Sequence, residues 1–165
     1  MSVARATVER LYAAFAALDA SAMRACYASD ATFDDEVFSL RGRDEIGAMW
    51  GMLCEAVKAK GRDVWRIDVT GITDTRAHWE PTYRFSATGR TVHNVIDAEF
   101  EFDGAGLISR HCDRFDFWRW SRQALGLPGL LLGWTPLLRN KVRAQAAKNL
   151  ARFRTTTLPQ GAMKE

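Results

Sequence analysis

The hydrophobic period of this chain changes near Gly61, and that change constrains the fold more than any other feature. Before it, apolar residues recur at helical spacing. Val8, Leu11, Tyr12, Phe15 and Leu18 form one stripe, with Arg5, Glu9 and Arg10 on the opposite side. A short second helix is expected from about Ser21 to Tyr27, burying Met23, Cys26 and Tyr27. Asp19 or Ser21 can cap it, because each carries an oxygen that accepts an orphan backbone N–H. A third helix, expected to be capped by Asp44, carries the stripe Ile46, Met49, Trp50, Leu53 and Val57 and stops at Gly61.

After Gly61 the period is two. "DVWRIDVTGI" puts Trp65, Ile67 and Val69 on one face, and "TRAHWEPTYRF" puts Ala77, Trp79, Tyr83 and Phe85 on one face. "TDT", "SATGR" and "FDGAGL" read as turns. Three helices followed by a meander predict an α+β fold, with one face of a curved antiparallel sheet covered by helices. From Trp118 the pattern becomes helical again, breaks at "GLPG", and resumes from about Pro136 to Phe153 with the stripe Leu138, Val142, Ala146, Leu150 and Phe153. The expected organisation is one domain over 1–120 with a helical extension over 121–165, whose tail "TTTLPQGAMKE" reads as frayed.

At 165 residues the chain has the length of a single domain with a real core. The N-terminus is amphipathic rather than a signal peptide, and "LGLPGLLLGWTPLL" is too short and too broken by prolines to span a bilayer. Three cysteines without CxxC spacing argue against a disulfide scaffold or zinc site, so a cytoplasmic location is expected. Arg139, Lys141, Arg143, Lys148, Arg152 and Arg154 form a run without acids. It reads as a solvated helix face rather than a nucleic-acid surface.

Alternation assigns the polar residues of the strands to faces. In "LISRHCDRFDFW", Leu107, Ser109, His111, Asp113, Phe115 and Phe117 share one face, and Ile108, Arg110, Cys112, Arg114 and Asp116 share the other. Two arginines and an aspartate belong in water more readily than a leucine and two phenylalanines, so His111 and Asp113 are expected inside. In "ATFDDEVF", Phe33, Asp35 and Val37 share a face. In "TVHNVIDAEFEF", Asn94, Ile96, Ala98, Phe100 and Phe102 face inward. Asp35, Asn94, His111 and Asp113 then sit in an aromatic and aliphatic lining. There a carboxyl has its charged form disfavoured and is tuned toward proton transfer. Phosphate loops, HExxH and GxSxG are absent from the sequence. His93 and His111 fall on opposite faces, so neither metal nor cofactor is expected.

The order of a first helix, "ALDASAMRACYASDATFDD", "LRGRDEIGAMW", a meander and "FDGAGLISRHCDRFDFW" resembles the nuclear transport factor 2-like superfamily. That group includes ketosteroid isomerases, limonene-epoxide hydrolases and SnoaL-type polyketide cyclases. "GLISRHCDRFD" resembles the last strand of SnoaL-like members, and "QALG" resembles the segment after that strand. The resemblance covers roughly residues 5 to 120. It implies a cone-shaped α+β fold, usually a homodimer, with an apolar cavity for one small hydrophobic molecule. Asp35 falls at the general-base position of the isomerases. Their oxyanion pair, a tyrosine and a protonated aspartic acid, would fall at Leu11 and Ala98. Tyr12 and Asp97 lie one residue away from these, so the resemblance implies that the pair is missing. The cyclase-type acid/base aspartate maps to Asp113, with Asp116 as the nearby competitor.

These readings combine into a cofactor-independent isomerase-, cyclase- or hydrolase-like pocket for a carbonyl or epoxide compound. Asp35, His111 and Asp113 are its expected catalytic residues, and Tyr12, Phe15, Trp50, Trp79, Tyr83, Asn94 and Phe115 its expected ligand contacts. Two alternatives stand beside it. One is a ligand-binding module without chemistry. The other is a membrane-surface protein whose contact is "LGLPGLLLGWTPLL" with the basic helix.

Overall fold

A computed structural model describes residues 1–157. Helix α1 (Val3–Ala16) starts at Ser2, whose hydroxyl accepts the Arg5 N–H, and buries Val8, Leu11, Tyr12 and Phe15 as its stripe requires. Asp19 caps α2 (Ala20–Arg24). This helix is shorter than expected, and Tyr27 opens a strand instead. That strand, β1 (Tyr27–Asp34), turns back into β2 (Ser39–Arg41) before α3 (Arg43–Lys60). Gly42, not Asp44, occupies the N-cap of α3. Asp44 lies in the first turn, beside the helix's positive end, and pairs with Arg24.

The rest of the sheet is β3 (Arg66–Thr70), β4 (Arg76–Arg84), β5 (Thr91–His93), β6 (Ile96–Phe102) and β7 (Ile108–Arg114). Its order is β2-β1-β7-β6-β4-β3, with β5 also on β4. The sheet is curved and unclosed, and α1 and α3 pack against its inner face. All pairings are antiparallel except β1 with β7, which run parallel and put Phe33 opposite His111. Parallel partners need a long crossover. The whole segment from α3 to β6 provides it, and no local pattern announces it.

Two bulges correct the alternation expected from the sequence. Register shifts between Tyr27 and Thr32 and opposite Glu101/Phe102 rotate Ile108 inward, where it is fully buried rather than exposed. From His111 onward the expected alternation holds: His111 and Asp113 are buried, and Arg110 and Arg114 are exposed. Asp116 faces out and caps α4 (Phe117–Leu125), accepting the Arg119 N–H at 3.0 Å. Helix α5 (Leu127–Leu132) follows, then α6 (Pro136–Thr157), which buries Leu150. Thr155 to Thr157, expected to belong to a frayed tail, continue α6; the rest of that tail, 158–165, lies outside the described residues. Helix α6 packs against α3 and crosses the open side of the cone.

Candidate functional site

Asp35 sits just past the end of β1, where the chain reverses. Its Oδ1 accepts the backbone N–H groups of Val37 at 2.7 Å and Phe38 at 2.6 Å, and its own N–H donates to the Phe38 carbonyl at 2.9 Å. The aspartate thus closes a turn at a point where alternation predicts a continuing strand. Burial pushes its carboxyl up from 3.8 to about 7. The two backbone N–H bonds oppose the rise, and the negative charges of Asp113 and Glu36 add to it.

A second polar group lies across the interior. His111 is fully buried on β7, with Nε2 2.9 Å from Asp113 Oδ1 and Nδ1 2.8 Å from the Tyr27 hydroxyl. Trp50 Nε1–H donates to that hydroxyl oxygen at 3.0 Å, and Trp79 Nε1–H reaches Asp113 Oδ1 at 3.4 Å. One proton arrangement satisfies every member. The indole of Trp50 donates to Tyr27, Tyr27 donates to Nδ1, and the Nε2–H of a neutral imidazole donates to Asp113. The reverse tautomer would leave the Tyr27 proton without an acceptor. The rings of Phe33 and Phe100 flank the imidazole at centroid separations of 4.9 and 4.4 Å. His111 is therefore held in one orientation by packing and by both nitrogens.

Asp35 and Asp113 open into one cavity of about 930 Å³, of the size that holds a drug-sized molecule. Its inner wall is Phe15, Phe33, Trp50, Trp79 and Ile96, and its outer wall includes Leu138, Val142 and Phe153 of α6. The two carboxyls are brought together by different means: Asp35 by a turn after β1, and Asp113 by the alternation of β7. Because Oδ1 of each is taken by protein donors, Oδ2 is the oxygen left to meet a ligand.

Of the residues singled out from the sequence, Phe15, Trp50, Trp79, Tyr83, Asn94 and Phe115 line this cavity with Asp35 and Asp113. Asn94 occupies the break between β5 and β6, where its own Oδ1 accepts the Val95 N–H at 3.1 Å. His111 and Tyr12 do not line it. His111 stands behind Asp113, hydrogen-bonded to its Oδ1. Tyr12 packs on Trp79 and Phe100, and its hydroxyl is buried without a partner. Burial, then the nearby charges of Asp113 and Tyr27, hold the Tyr12 phenol well above its usual range.

Sequence reasoning misses Tyr27 and Trp120. Tyr27 completes the His111 chain, although its local pattern reads as the end of a helix. The indole of Trp120 donates to the Tyr83 hydroxyl at 2.8 Å, fastening α4 to the cavity wall. No local signal marks either, since both partners are distant in the chain. Ala98 faces inward, whereas Asp97 is exposed and pairs with His78 at 2.8 Å, so β6 brings no second acid into the cavity. Among the described residues, no group of three or more His, Cys, Asp or Glu side chains could hold a metal ion.

A curved, unclosed sheet packed on helices around an apolar cavity is the fold of the nuclear transport factor 2-like superfamily. Residues 8–111 match the SnoaL-like domain, and the chain belongs to that family. Several solved structures share the fold. A protein from Pseudomonas putida KT2440, provisionally described as a polyketide cyclase, is 24% identical with a TM-score of 0.57, over 75% of this chain and 99% of that one. An LEH-like epoxide hydrolase of M. tuberculosis is 20% identical with a TM-score of 0.53, over 82% and 95%. A protein of ketosteroid isomerase-like fold from Catenulispora acidiphila DSM 44928, in complex with trimethylamine, is 18% identical with a TM-score of 0.56, over 79% and 97%. No curated protein matches the chain in sequence.

Proposed function

We propose that this protein is a cofactor-independent acid/base enzyme acting on a hydrophobic carbonyl or epoxide compound, with Asp35 as the group that moves the proton. The observation that carries this reading is the carboxyl of Asp35, raised to about 7 at the wall of a largely apolar cavity. A group with that pKa is present in both protonation states near neutral pH, which suits it to accept a proton from carbon or give one to an epoxide oxygen. Asp113, oriented by His111 and Trp79, offers its free oxygen to position the substrate or a water on the opposite side. The His111–Tyr27–Trp50 chain keeps Asp113 in place and takes no direct part.

The SnoaL-like family and the cyclase and epoxide hydrolase relatives support this class of chemistry. The test is turnover of a panel of apolar epoxides and 1,3-dicarbonyl compounds, read by mass spectrometry and by deuterium exchange next to the carbonyl. Asp35→Asn is expected to lower kcat by at least about 100-fold on any compound turned over. Unchanged turnover in both Asp35→Asn and Asp113→Asn would sink the mechanism.

The alternative, a binding module without chemistry, is favoured by one observation: β6 supplies no second acid to stabilise an oxyanion. It predicts a retained ligand that native mass spectrometry releases chemically unchanged.

A further inference from the structure

The C-terminal helices present an apolar surface that the core does not explain. Leu127, Leu131, Trp134 and Leu137 are 69%, 64%, 70% and 73% exposed, and Leu130 and Leu132 lie beside them at 45% each. This arrangement is built in. Helix α5 lies on α4 through its glycines: a Cβ at Gly129 would come within 1.9 Å of the Ser121 carbonyl oxygen, and one at Gly133 within 2.0 Å of the Ser121 hydroxyl. Because the small residues take the inner side, the leucines must point out. The indole N–H groups of Trp118 and Trp134 are already satisfied by the carbonyls of Leu130 and Leu131, so the rings can leave water without stranding a donor.

The charge carried by this segment has one sign. From Phe117 to Thr157 there is no Asp or Glu, while Arg119, Arg122, Arg139, Lys141, Arg143, Lys148, Arg152 and Arg154 all fall there. Arg122 lies over the Trp118 ring at 4.7 Å, against the leucine cluster. Leu137, Lys141 and Lys148 fall within roughly 40° of one another around α6 at ~3.6 residues per turn. Two of the cations, Arg139 and Arg154, pair with Glu36 and Glu45; Arg122, Lys141, Arg143 and Lys148 are exposed and make no ion pair among the described residues.

We infer that α5 and the start of α6 form a docking surface for an anionic lipid bilayer, with the leucines and Trp134 inserting among the acyl chains and the arginines and lysines meeting the headgroups. Charge chooses the occupant. A second copy docked face to face would set one net-cationic segment against another, whereas an anionic bilayer complements both the apolar centre and the cationic border. Helix α5 has six residues, and no helix among those described is long and apolar enough to cross a membrane, so the contact lies in one leaflet. The segment also reaches the cavity: Leu125, Pro128, Leu138 and Lys141 line it. A bilayer held here lies beside the cavity's outer wall, and a membrane-dissolved compound would have a short path inside.

The test is co-sedimentation of the full chain with vesicles of phosphatidylcholine containing 30% phosphatidylglycerol, against phosphatidylcholine alone. The wild type is expected to pellet with the anionic vesicles at low salt and to be released by half-molar NaCl. Leu131→Ser with Trp134→Ser should abolish pelleting, and Arg122→Gln with Lys148→Gln should weaken it about 25-fold, at roughly fivefold per cation removed. Circular dichroism checks that these exposed substitutions leave the fold intact. Trp134 fluorescence should blue-shift on binding and be quenched by brominated lipid. The inference is overturned if the wild type stays in the supernatant at low salt, or if the Leu131/Trp134 variant pellets as well as the wild type. It is equally overturned if light scattering shows a dimer that this variant dissociates while vesicles capture nothing. Because no patch residue is Asp35 or Asp113, loss of vesicle binding with intact turnover in detergent separates this inference from the proposed chemistry.

Discussion

Replacing Asp35 by asparagine is expected to stabilise the protein at alkaline pH and to remove one component of its pH dependence. The folded carboxyl titrates near 7 and the unfolded one near 3.8. Between those values the folded chain holds a proton that the unfolded chain has lost, so stability falls as pH rises through this window and levels off above about 7. At ~1.4 kcal/mol per pH unit the full interval corresponds to about 4 kcal/mol. The side chain is partly exposed at the cavity wall, which brings the expected effect to about 2 kcal/mol. The substituted amide keeps an oxygen for the Val37 and Phe38 N–H groups, so the turn survives and the charge alone is removed. The assay is urea unfolding of both proteins at half-unit steps from pH 4 to 8, followed by tryptophan fluorescence. The two stability curves should meet near pH 4 and separate by about 2 kcal/mol at pH 8 in favour of the variant. Parallel curves across this range would refute the reasoning, because they would mean that Asp35 ionises as freely folded as unfolded.

Other outcomes rest on the same geometry. If Asp35 acts as a base, turnover of a substrate should rise through pH 7 and level off; if it acts as an acid, turnover should fall there. Tyr27→Phe strands the Trp50 N–H and the His111 Nδ1 together and should cost about 2–4 kcal/mol in unfolding free energy, measured by urea titration. His111→Gln should lower kcat more than it raises KM, since Asp113 loses its orienting donor; equal turnover in the variant would mark the imidazole as purely structural. Gly129→Ala pushes a methyl into the Ser121 carbonyl and should destabilise the α4–α5 packing by about 1–3 kcal/mol, seen as a lowered Tm.

Much of this fold is legible in the sequence because periodicity is a local property. The change from helical to strand period near Gly61 specifies the α+β class, and alternation from His111 to Asp113 decides which side chains meet the core. The same logic excludes Asp116, which caps a helix. Where alternation fails, a tertiary contact intervenes. Ile108 turns inward because two bulges, each defined by the partner strand, reset the register.

Asp35 can be singled out from the sequence, yet its environment cannot, because a turn rather than a strand presents it and the fold then closes around it. Tyr27 shows the limit most clearly. It lies 84 positions before His111, and only the parallel pairing of β1 with β7, made across most of the chain, brings the phenol to the imidazole. The sequence by itself determined which residues could be inside. Which of them touch, and so which carboxyl is raised and which is held, depended on long-range strand pairing and on the cavity that α6 encloses.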